Sequence, residues 1–418
     1  MKTPRVLLLS PARSYRIAAY LDAARRLGVS LVIASDGRHS LAREVAAGIH
    51  LDLSDPAACL DTVARVHAET PFSGIVASDD TTVELAARLA ESLGLAHNAP
   101  SAARLTRRKD LARQCLADAG VPVPAFSLID LDRPLSPQLD ALCWPVVLKP
   151  LSLSASTGVI RVDDADSARH ALAVIAELIA DLPDREERRR VLAERYLPGA
   201  EVAVEGFLHH GGYQAITIFD KPDPLTGPFF EETCYVSPSR LPEMLQRKII
   251  STVADACAAY GLRQGPVHAE LRIDGERAWI LEVAARTIGG ECSRALDAGL
   301  VEPLEMHVLA SALGRPLPLR ARERAAGVMM IPVPRAGVLR RVTGEAEARA
   351  VPGITGLRIA VRPGQPLEVL PRASSYLGFL FAEGDTPEVV EDALRSAHAA
   401  LKFTVDPMIL LRPGSLEL

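Results

Sequence analysis

Short apolar runs alternate with amphipathic stretches over the first part of the chain. The apolar runs predict strands at residues 5–10, 29–35 and 72–77, and the amphipathic stretches predict helices at 14–27 and 80–93. Strands that alternate with helices favour a parallel sheet, so an α/β unit is expected here. The turn after the first strand has none of the glycines of a dinucleotide-binding fingerprint, which disfavours a nicotinamide oxidoreductase.

An alternating stretch further along the chain predicts a β-hairpin. Residues 267–273, and roughly 278–284, alternate apolar and polar side chains, and an Asp-Gly pair between them is a tight-turn signal. A loop of residues 275–277 would place Asp274 opposite Ala278 on the neighbouring strand.

This hairpin carries a candidate metal site. The predicted register places Glu270 opposite Glu282, and the alternation puts His268 and Arg272 on the same face as Glu270. Two carboxylates this close repel each other unless a cation lies between them. Mg²⁺ prefers carboxylates that leave positions open for water and phosphate, and Arg286 would add a fixed positive charge nearby. An amphipathic surface hairpin with scattered charges explains the same pattern equally well.

A lysine ends another apolar strand. Residues 144–150 predict a strand that contains Lys149 near its end, and a charge there is costly unless it meets an anion. The loop 152–158 is rich in small hydroxyl side chains and leads to a predicted strand at 159–162. This arrangement predicts a hairpin that folds over phosphates, although a mobile surface turn has the same composition. The basic helix predicted at 101–119 is expected to present a solvated face.

Three polar segments allow more than one interpretation. Asp79 and Asp80 follow an apolar strand and either line a substrate crevice or cap the next helix. The paired histidines at 209–210 are expected in a turn rather than in a closed metal site. Residues 221–235 form a long Pro/Gly-rich loop that carries Glu232, and loops of this length are usually functional.

Composition and charge limit the function classes. The chain has 418 residues, so two to four domains are expected, and its net charge of −5 gives no sign of a nucleic-acid partner. No uncharged apolar run approaches the roughly 18 residues of a membrane helix, and the N-terminal apolar run is too short for a signal peptide. The six cysteines form no CxxC pair and are expected to be reduced thiols in a cytoplasmic protein.

Five segments, in order along the chain, resemble the ATP-grasp superfamily of carboxylate–amine ligases, and more narrowly its L-amino acid (dipeptide) ligase branch. The segments are RRKDL with Lys109, PVVLKP with Lys149, the loop that ends STGV, ERYLPGAE ending at Glu201, and HAE with LEVAAR from His268 to Arg286. The resemblance implies an ATP-grasp fold of mixed α/β and α+β class. The expected parts are a Rossmann-like pre-ATP-grasp domain at 1–100, a linker helix and small subdomain at 101–205, a large subdomain at 206–320 and a C-terminal α+β lobe at 321–418.

The resemblance also implies a role for individual residues. ATP phosphates would be neutralised by two lysines, and a serine-rich loop would close over them. Backbone groups at the end of a strand would contact adenine, and an acidic side chain would hold the ribose. These ATP contacts are assigned to Lys109, Lys149, Ser154, Ser156, Thr157, Gly158, Glu194, Arg195, Leu197 and Glu201. Mg²⁺, with Mn²⁺ as the alternative ion, is assigned to Glu270 and Glu282. The stabilisation of the substrate carboxylate and acyl phosphate is assigned to Arg286, Gly289 and Gly290, and the binding of an amino group to Glu232.

The chain departs from the superfamily at three positions. Ala284 stands where Asn usually supplies a metal ligand, which makes a second Mg²⁺ less secure. Gly158 is the only glycine of the phosphate loop, so hydroxyl groups are expected to assist there. Tyr235 replaces a histidine found in some dipeptide ligases, so no general base is assigned.

The expected function is an ATP- and Mg²⁺-dependent ligase that activates a carboxylate as an acyl phosphate and joins it to an amine, with amino acids as the expected substrates. The alternatives are an ATP-grasp carboxylase or purine-type ligase that activates bicarbonate or formate, and a non-catalytic ATP-binding protein. The expected partners are small molecules, with a homodimer usual for the family and no nucleic acid or membrane.

Overall fold

The computed structural model describes residues 3–12, 14, 16–37, 47–320, 322–372 and 376–408. The first sheet is parallel, with strand order β3-β2-β1-β4. Its elements are β1 (Arg5–Leu9), α1 (Ile17–Leu27), β2 (Ser30–Ser35), β3 (Ala47–His50), α2 (Pro56–Glu69), β4 (Gly74–Ala77) and α3 (Asp80–Ser92). The predicted parallel sheet is therefore confirmed, whereas β3 and α2 were not predicted. Positions 13 and 15 of the glycine-free turn lie outside the described residues.

The predicted basic helix at 101–119 is two helices, α4 (Pro100–Leu105) and α5 (Lys109–Asp118). The expectation of a solvated basic face is wrong for three of its residues. Arg113 is only 1% exposed and Arg108 is 8% exposed, while Lys109 faces a cavity. Each of them meets a carboxylate, because a buried cation needs a compensating charge.

A second, antiparallel sheet has the strand order β5-β8-β6-β7. Its elements are β5 (Phe126–Asp130), α6 (Leu135–Asp140), β6 (Val146–Pro150), β7 (Ile160–Val162), α7 (Ala165–Ile179), α8 (Arg185–Arg189) and β8 (Arg190–Arg195). The apolar face of α7 covers this sheet, with Leu172 and Ile175 packed against Leu148 and Val191. The hairpin of β6 and β7 carries the predicted phosphate loop.

The largest sheet has eight antiparallel strands in the order β13-β12-β9-β10-β11-β14-β18-β16. Its elements along the chain are β9 (Ala200–His209), β10 (Gly212–Lys221), β11 (Cys234–Ser237), α9 (Glu243–Tyr260), β12 (Gly265–Asp274), β13 (Arg277–Ala284), α10 (Ser293–Gly299), α11 (Leu304–Ala312) and β14 (Ala325–Ile331). His209 is the last residue of β9 and His210 lies in the turn to β10, so the prediction of a turn holds for His210. Helix α9 buries Ile249 and Val253 against one face of this sheet.

The C-terminal segment contributes to this sheet and forms a small sheet of its own. Its elements are β15 (Gly337–Thr343), α12 (Glu345–Ala350), β16 (Ile354–Ile359), β17 (Pro366–Leu367), β18 (Gly378–Gly384), α13 (Pro387–Ala400) and β19 (Lys402–Asp406). Strands β17, β15 and β19 form the small sheet. Because β14 pairs with β11, a boundary near residue 320 divides a continuous sheet, and the domain limits stay a prediction.

The hairpin of β12 and β13 differs from its prediction at the turn but not at the metal-site pair. Asp274 pairs with Arg277, so the predicted three-residue loop with Asp274 opposite Ala278 is wrong. A β-bulge between Glu270 and Leu271 shifts the register further along, and Glu270 lies opposite Glu282 as predicted. The extra residue of the bulge compensates for the shorter turn.

Among the described residues, no helix combines the length and the hydrophobicity needed to cross a bilayer.

Candidate active site

A cavity of about 330 Å³ lies where the parallel sheet, the second sheet and the eight-stranded sheet meet. It is lined by all the predicted site residues except two. The lining set is Lys109, Lys149, Ser154, Ser156, Glu194, Arg195, Leu197, Glu201, Glu232, Glu270, Glu282, Arg286, Gly289 and Gly290, and the two others are Thr157 and Gly158. These residues extend from Lys109 to Gly290 in the sequence, and the fold brings them together around one cavity.

A cation-rich cluster, defined as Arg113, Lys149 and Glu194, lies on the side of the second sheet. Lys149 on β6 and Glu194 on β8 are on neighbouring strands, and Lys149 Nζ lies 2.6 Å from Glu194 Oε2. Arg113 of α5 approaches the other carboxylate oxygen, with its Nε 2.5 Å from Glu194 Oε1. Burial alone would raise the pKa of Glu194, but Arg113 and Lys149 hold it below its usual value. The cluster therefore keeps an excess of positive charge beside the cavity.

Lys109 links this side to the hairpin. Its Nζ donates to the carbonyl of Leu153 at 2.8 Å and lies 3.5 Å from Glu282 Oε2. Its backbone N–H donates to the carbonyl of Leu151, so the start of α5 is tied to the phosphate loop at two points. The ammonium group of Lys109 is therefore close enough to the loop to bind an anion that the loop covers.

The phosphate loop is shaped by left-handed residues and by one close contact. Ala155 and Ser156 both have positive φ, and so does Gly158, at +70°. A Cβ on Gly158 would lie 2.7 Å from Pro150 Cγ, so glycine is required there by space as well as by φ. The N–H of Gly158 donates to the carbonyl of Pro371 at 3.0 Å, which turns this residue away from the cavity.

The pocket beside the end of β8 is apolar. It is lined by Val147, Leu197 and Phe230, each less than 9% exposed. The backbone at Arg195 and Tyr196 bonds to neighbouring segments through N–H groups. An apolar slot next to a strand end is suited to a flat heteroaromatic ring, as predicted for adenine.

An acid-rich cluster, defined as Lys221, Glu201, Glu232 and Glu270, lies on the side of the eight-stranded sheet. Lys221 Nζ is 2.7 Å from Glu201, 2.5 Å from Glu232 and 3.1 Å from Glu270. The three carboxylates each offer an oxygen within 4.8 Å of the others, a grouping that is able to hold a metal ion. Tyr235, the replacement for histidine, lies against the same ammonium, whose Nζ is 5.0 Å from the centre of its ring.

The members of the acid-rich cluster differ in the direction of their pKa shifts. Burial would lower the pKa of Lys221, but the three glutamates raise it well above its ordinary value. Burial and the charge of Glu270 together raise the pKa of Glu232 to about 7, despite the opposing effect of Lys221. Burial would also raise the pKa of Glu270, yet Lys221 and His268 hold it well below its usual range. Glu232 is therefore the member of the cluster that takes up a proton near neutral pH.

The predicted metal ligands lie on paired strands and face different ammonium groups. Glu270 meets Lys221, and Glu282 meets Lys109. Carboxylate oxygens are the donors that Mg²⁺ prefers. Glu270 belongs to the group of three carboxylates whose oxygens lie within 4.8 Å of one another, whereas the role of Glu282 as a ligand stays a prediction. Ala284 is fully buried and offers no ligand atom.

The buried side chain of His268 lies between two carboxylates, those of Glu205 and Glu270. His268 contacts Glu205 through Nδ1, and its Nε2 lies 3.3 Å from Glu270 Oε1. Burial would lower the pKa of His268, but Glu205 and Glu270 raise it to about 9, so the ring is charged at neutral pH. Glu205 also accepts the backbone N–H of Ile288 at 3.2 Å, which links this support to the loop after β13.

Arg286 begins that loop and is paired with Asp80. The Nε and Nη2 groups of Arg286 each donate to Asp80 at 2.8 Å, while Asp79 caps α3 by accepting from Thr81 N–H. Both aspartates line the cavity, and Asp79 caps the helix as well, so both interpretations of the acidic pair hold. Gly290, with φ +60°, lines the cavity beyond Arg286.

Sequence reasoning missed four residues of this site: Arg113, Glu205, His268 as a supporting group, and Lys221. A usable signal existed for Lys221. It ends an apolar stretch of β10 in the way that Lys149 ends β6, and the same cost of an unpaired buried charge applies to both.

Three family descriptions match the chain. They are "ATP-grasp N-terminal domain" at residues 21–97, "ATP-grasp domain" at 142–295 and "L-amino acid ligase C-terminal domain 2" at 329–406. The crystal structure of the L-amino acid ligase from Bacillus licheniformis is similar, with a TM-score of 0.81 and 26% sequence identity. That alignment covers 97% of this chain and 100% of that chain.

Two curated relatives extend the comparison. The protein y4rH of Sinorhizobium fredii (strain NBRC 101917 / NGR234) is 23% identical over 398 residues, which is 93% of this chain and 80% of that protein. The alanine–anticapsin ligase of Bacillus subtilis (strain 168) is 26% identical over 246 residues, 55% of this chain and 52% of the ligase. The chain thus spans about half the length of that ligase.

These matches confirm the predicted ATP-grasp fold, the resemblance to L-amino acid ligases and the enzyme class. ATP or ADP binding accompanies this fold. The chain therefore contains an ATP-grasp N-terminal domain, an ATP-grasp domain and a C-terminal domain of the L-amino acid ligase type.

Proposed function

We propose that the protein is an ATP-dependent ligase that forms an amide bond between a carboxylate and the amine of an amino acid. The observation that carries this proposal is one cavity with a cation-rich cluster on one side, and acidic side chains with Arg286 on the other. Phosphoryl transfer depends mainly on positioning and on charge stabilisation, and both are available there.

The phosphate groups of ATP would lie between the two lysines. Lys149 and Lys109 border the cavity, and the loop with Ser154 and Ser156 covers the same space. Each lysine has a carboxylate partner within reach, Glu194 for Lys149 and Glu282 for Lys109. A phosphate would therefore compete for ammonium groups that are already fixed in place, which reduces the cost of ordering them.

Glu270 and Glu282 would hold Mg²⁺, or Mn²⁺, and the ion would add charge stabilisation at the phosphates. His268 would keep Glu270 oriented, as supporting groups do for metal ligands. Because Ala284 supplies no ligand atom, a second ion would depend on water or on the other carboxylates of the acid-rich cluster.

The reacting carboxylate would lie near Arg286, Gly289 and Gly290. It would attack the γ-phosphate of ATP, which gives an acyl phosphate and ADP. The amine would then attack the acyl carbon, with phosphate as the leaving group. Glu232 would hold the amine as an ammonium ion before that step, and its raised pKa makes it able to accept a proton at neutral pH.

We also propose a cytoplasmic location, small-molecule partners only, and a homodimer. The chain has reduced cysteines, since the six in the sequence are all unpaired, and it carries no strong basic excess.

The test is ADP release from ATP and Mg²⁺ across a matrix of amino-acid pairs, with mass spectrometry of the products. We expect release that depends on particular pairs and yields a dipeptide. Lys149→Ala and Glu282→Ala should each lower this rate by about 10³-fold without unfolding the protein. Glu194 keeps Arg113 as a partner when Lys149 is absent.

The matched controls are Lys248→Ala and Glu276→Ala. Lys248 is exposed on α9, and Glu276 is exposed in the turn of the same hairpin as Glu282. Both controls should retain full turnover. Unchanged turnover in Lys149→Ala or Glu282→Ala would refute the site, release that requires bicarbonate but no amino acid would favour a carboxylase, and nucleotide binding without any release would favour a non-catalytic protein.

A further inference from the structure

Arg286 receives its orientation from another layer of the molecule. Asp80 is the first residue of α3, the helix that follows β4 of the parallel N-terminal sheet, whereas Arg286 follows β13 of the eight-stranded sheet. The two side chains meet in a bidentate pair with both nitrogen–oxygen distances at 2.8 Å. Such a planar fork fixes the guanidinium in orientation as well as in position.

The pair leaves part of the guanidinium available. Arginine has five N–H donors, of which Nε and one on Nη2 bond to Asp80 and one on Nη1 bonds to the carbonyl of Thr287 at 3.0 Å. In the described part of the chain, one donor on each terminal nitrogen has no further bond. Arg286 lines the cavity, so a substrate oxygen in the cavity is able to reach its guanidinium while Asp80 remains bound.

The surroundings of Asp80 are positive. Lys109 and His268 act on it in addition to Arg286, and together they keep its pKa below the usual value although burial alone would raise it. The carboxylate is therefore ionised at neutral pH. Glu282 and Glu205 also act on Arg286 through their charge, but Asp80 is the carboxylate that holds it in a bidentate pair. Without this pair, the long side chain would be free to adopt other rotamers.

The rest of the loop is held from the same two layers. Arg16, which precedes α1 in the parallel unit, donates to the Thr287 hydroxyl and to the carbonyl of Ile288. Glu205 accepts the N–H of Ile288 from the eight-stranded sheet. The backbone after Arg286 is thus fixed independently, and the orientation of the guanidinium itself depends on Asp80.

We propose that Asp80 is a positioning residue, which holds the Arg286 guanidinium where it meets the reacting carboxylate, so that the N-terminal sheet completes the catalytic site. The inference rests on the ligase function proposed above. It assigns Asp80 no contact with substrate, and its effect on the reaction passes through Arg286.

The test compares Asp80→Asn and Asp80→Glu with the wild type. Asp80→Asn should lower kcat for amino-acid-dependent ADP release by about 10- to 100-fold, as loss of a supporting partner does at other sites. The KM for ATP and the affinity for ADP should change much less than kcat, because among the described residues Asp80 forms no ion pair with Lys109 or Lys149, whose partners are Glu282 and Glu194. Asp80→Glu should recover part of kcat, because it restores the charge at a slightly different distance.

A readout at Arg286 separates positioning from a general loss of structure. The Nε–H of Arg286, assigned by its loss in Arg286→Lys, should exchange slowly with water in the wild-type protein and faster in Asp80→Asn, as measured by ¹⁵N NMR. Asp55→Asn is the control, since Asp55 caps α2 in the same parallel unit and is exposed. It should alter neither kcat nor the exchange at Arg286.

Each alternative result has a defined meaning. Wild-type kcat in Asp80→Asn overturns the inference, and so does a lowered kcat with a protected Arg286 Nε–H, which would mean that Asp80 contacts substrate directly. A wild-type protein that releases no ADP with any amino-acid pair would instead reject the proposed function. Faster exchange in Asp80→Asn would still show that Asp80 holds the arginine.

Discussion

The two charged clusters that flank the cavity have opposite compositions. In the cation-rich cluster, two cations, Arg113 and Lys149, enclose the single carboxylate of Glu194. In the acid-rich cluster, three carboxylates enclose the single ammonium of Lys221. Each cluster keeps one counter-charge at its centre, so neither side is an uncompensated buried charge before ligands bind.

This difference in charge allows one cavity to bind both the phosphate groups of a nucleotide and the metal ion that accompanies them. The side with excess positive charge suits phosphate groups, and the side with excess negative charge suits a divalent cation or an ammonium ion. Glu194 is 1% exposed, so its role is to hold the ammonium group of Lys149 in place. Glu232 and Glu270 are only half-buried and remain accessible from the cavity.

The largest effect on this comparison is expected from the central lysine of the acid-rich cluster. Lys221→Met leaves Glu232 without its cation, while Glu201 keeps Arg272 and Glu270 keeps His268. It should lower the free energy of unfolding by about 3 kcal/mol, because the half-buried Glu232 carboxylate is left unpaired. The loss in the free energy of unfolding is limited because Glu232 is able to take up a proton and so lose its charge. Lys149→Met should cost about 1–2 kcal/mol, because Glu194 retains Arg113. Urea unfolding without metal measures both.

Mg²⁺ sharpens the same experiment. It should raise the Tm of Lys221→Met more than that of the wild type, because a bound cation replaces the missing ammonium and stabilises only the folded state. Equal stability losses in the two variants, or no added response to Mg²⁺, would show that the clusters do not differ in the proposed way.

A smaller effect is expected from pH. The folded-state pKa of Glu232 is raised from 4.5 to about 7, so the folded protein binds more protons than the unfolded chain between these values. The free energy of unfolding should therefore fall as pH rises through this window. Glu232→Gln should remove about 1–2 kcal/mol of that fall, allowing for solvent at a partly exposed group.

Glu194 should behave in the opposite sense. Its pKa is lowered in the folded protein, so its contribution is present above its unfolded pKa and is lost as pH falls. Thermal unfolding of metal-free protein between pH 3 and 8 compares the two. An identical pH profile for Glu232→Gln and the wild type would contradict the raised pKa.

The hairpin shows how far the sequence could determine this site. Alternation of side chains placed Glu270 and Glu282 on facing strands correctly, because the side-chain period of a strand is fixed. The bulge beside Leu271 was not predictable, because the alternation of apolar and polar residues does not show where an extra residue is inserted into a strand. The predicted pairing survived because a shorter turn and an extra residue offset each other.

Charged residues were predicted less well than apolar ones. Arg113 was expected in solvent because it belongs to a run of basic residues, yet its partner Glu194 lies on a strand far along the chain. Lys221 and Asp80 present the same difficulty. Lys221 meets glutamates on other strands of its own sheet, and Asp80 meets an arginine that follows a strand of another sheet. Periodicity identifies which face a residue occupies, whereas ion pairing between layers depends on tertiary structure.

The most direct test of the account is nucleotide-dependent Mn²⁺ binding, measured by electron paramagnetic resonance in the presence of ADP. The account predicts that Glu270→Gln and Glu282→Gln each weaken Mn²⁺ binding by about tenfold or more, while Glu276→Gln in the exposed turn binds like the wild type. Mn²⁺ binding that is unchanged in both Glu270→Gln and Glu282→Gln would contradict the claim that this facing pair holds the metal.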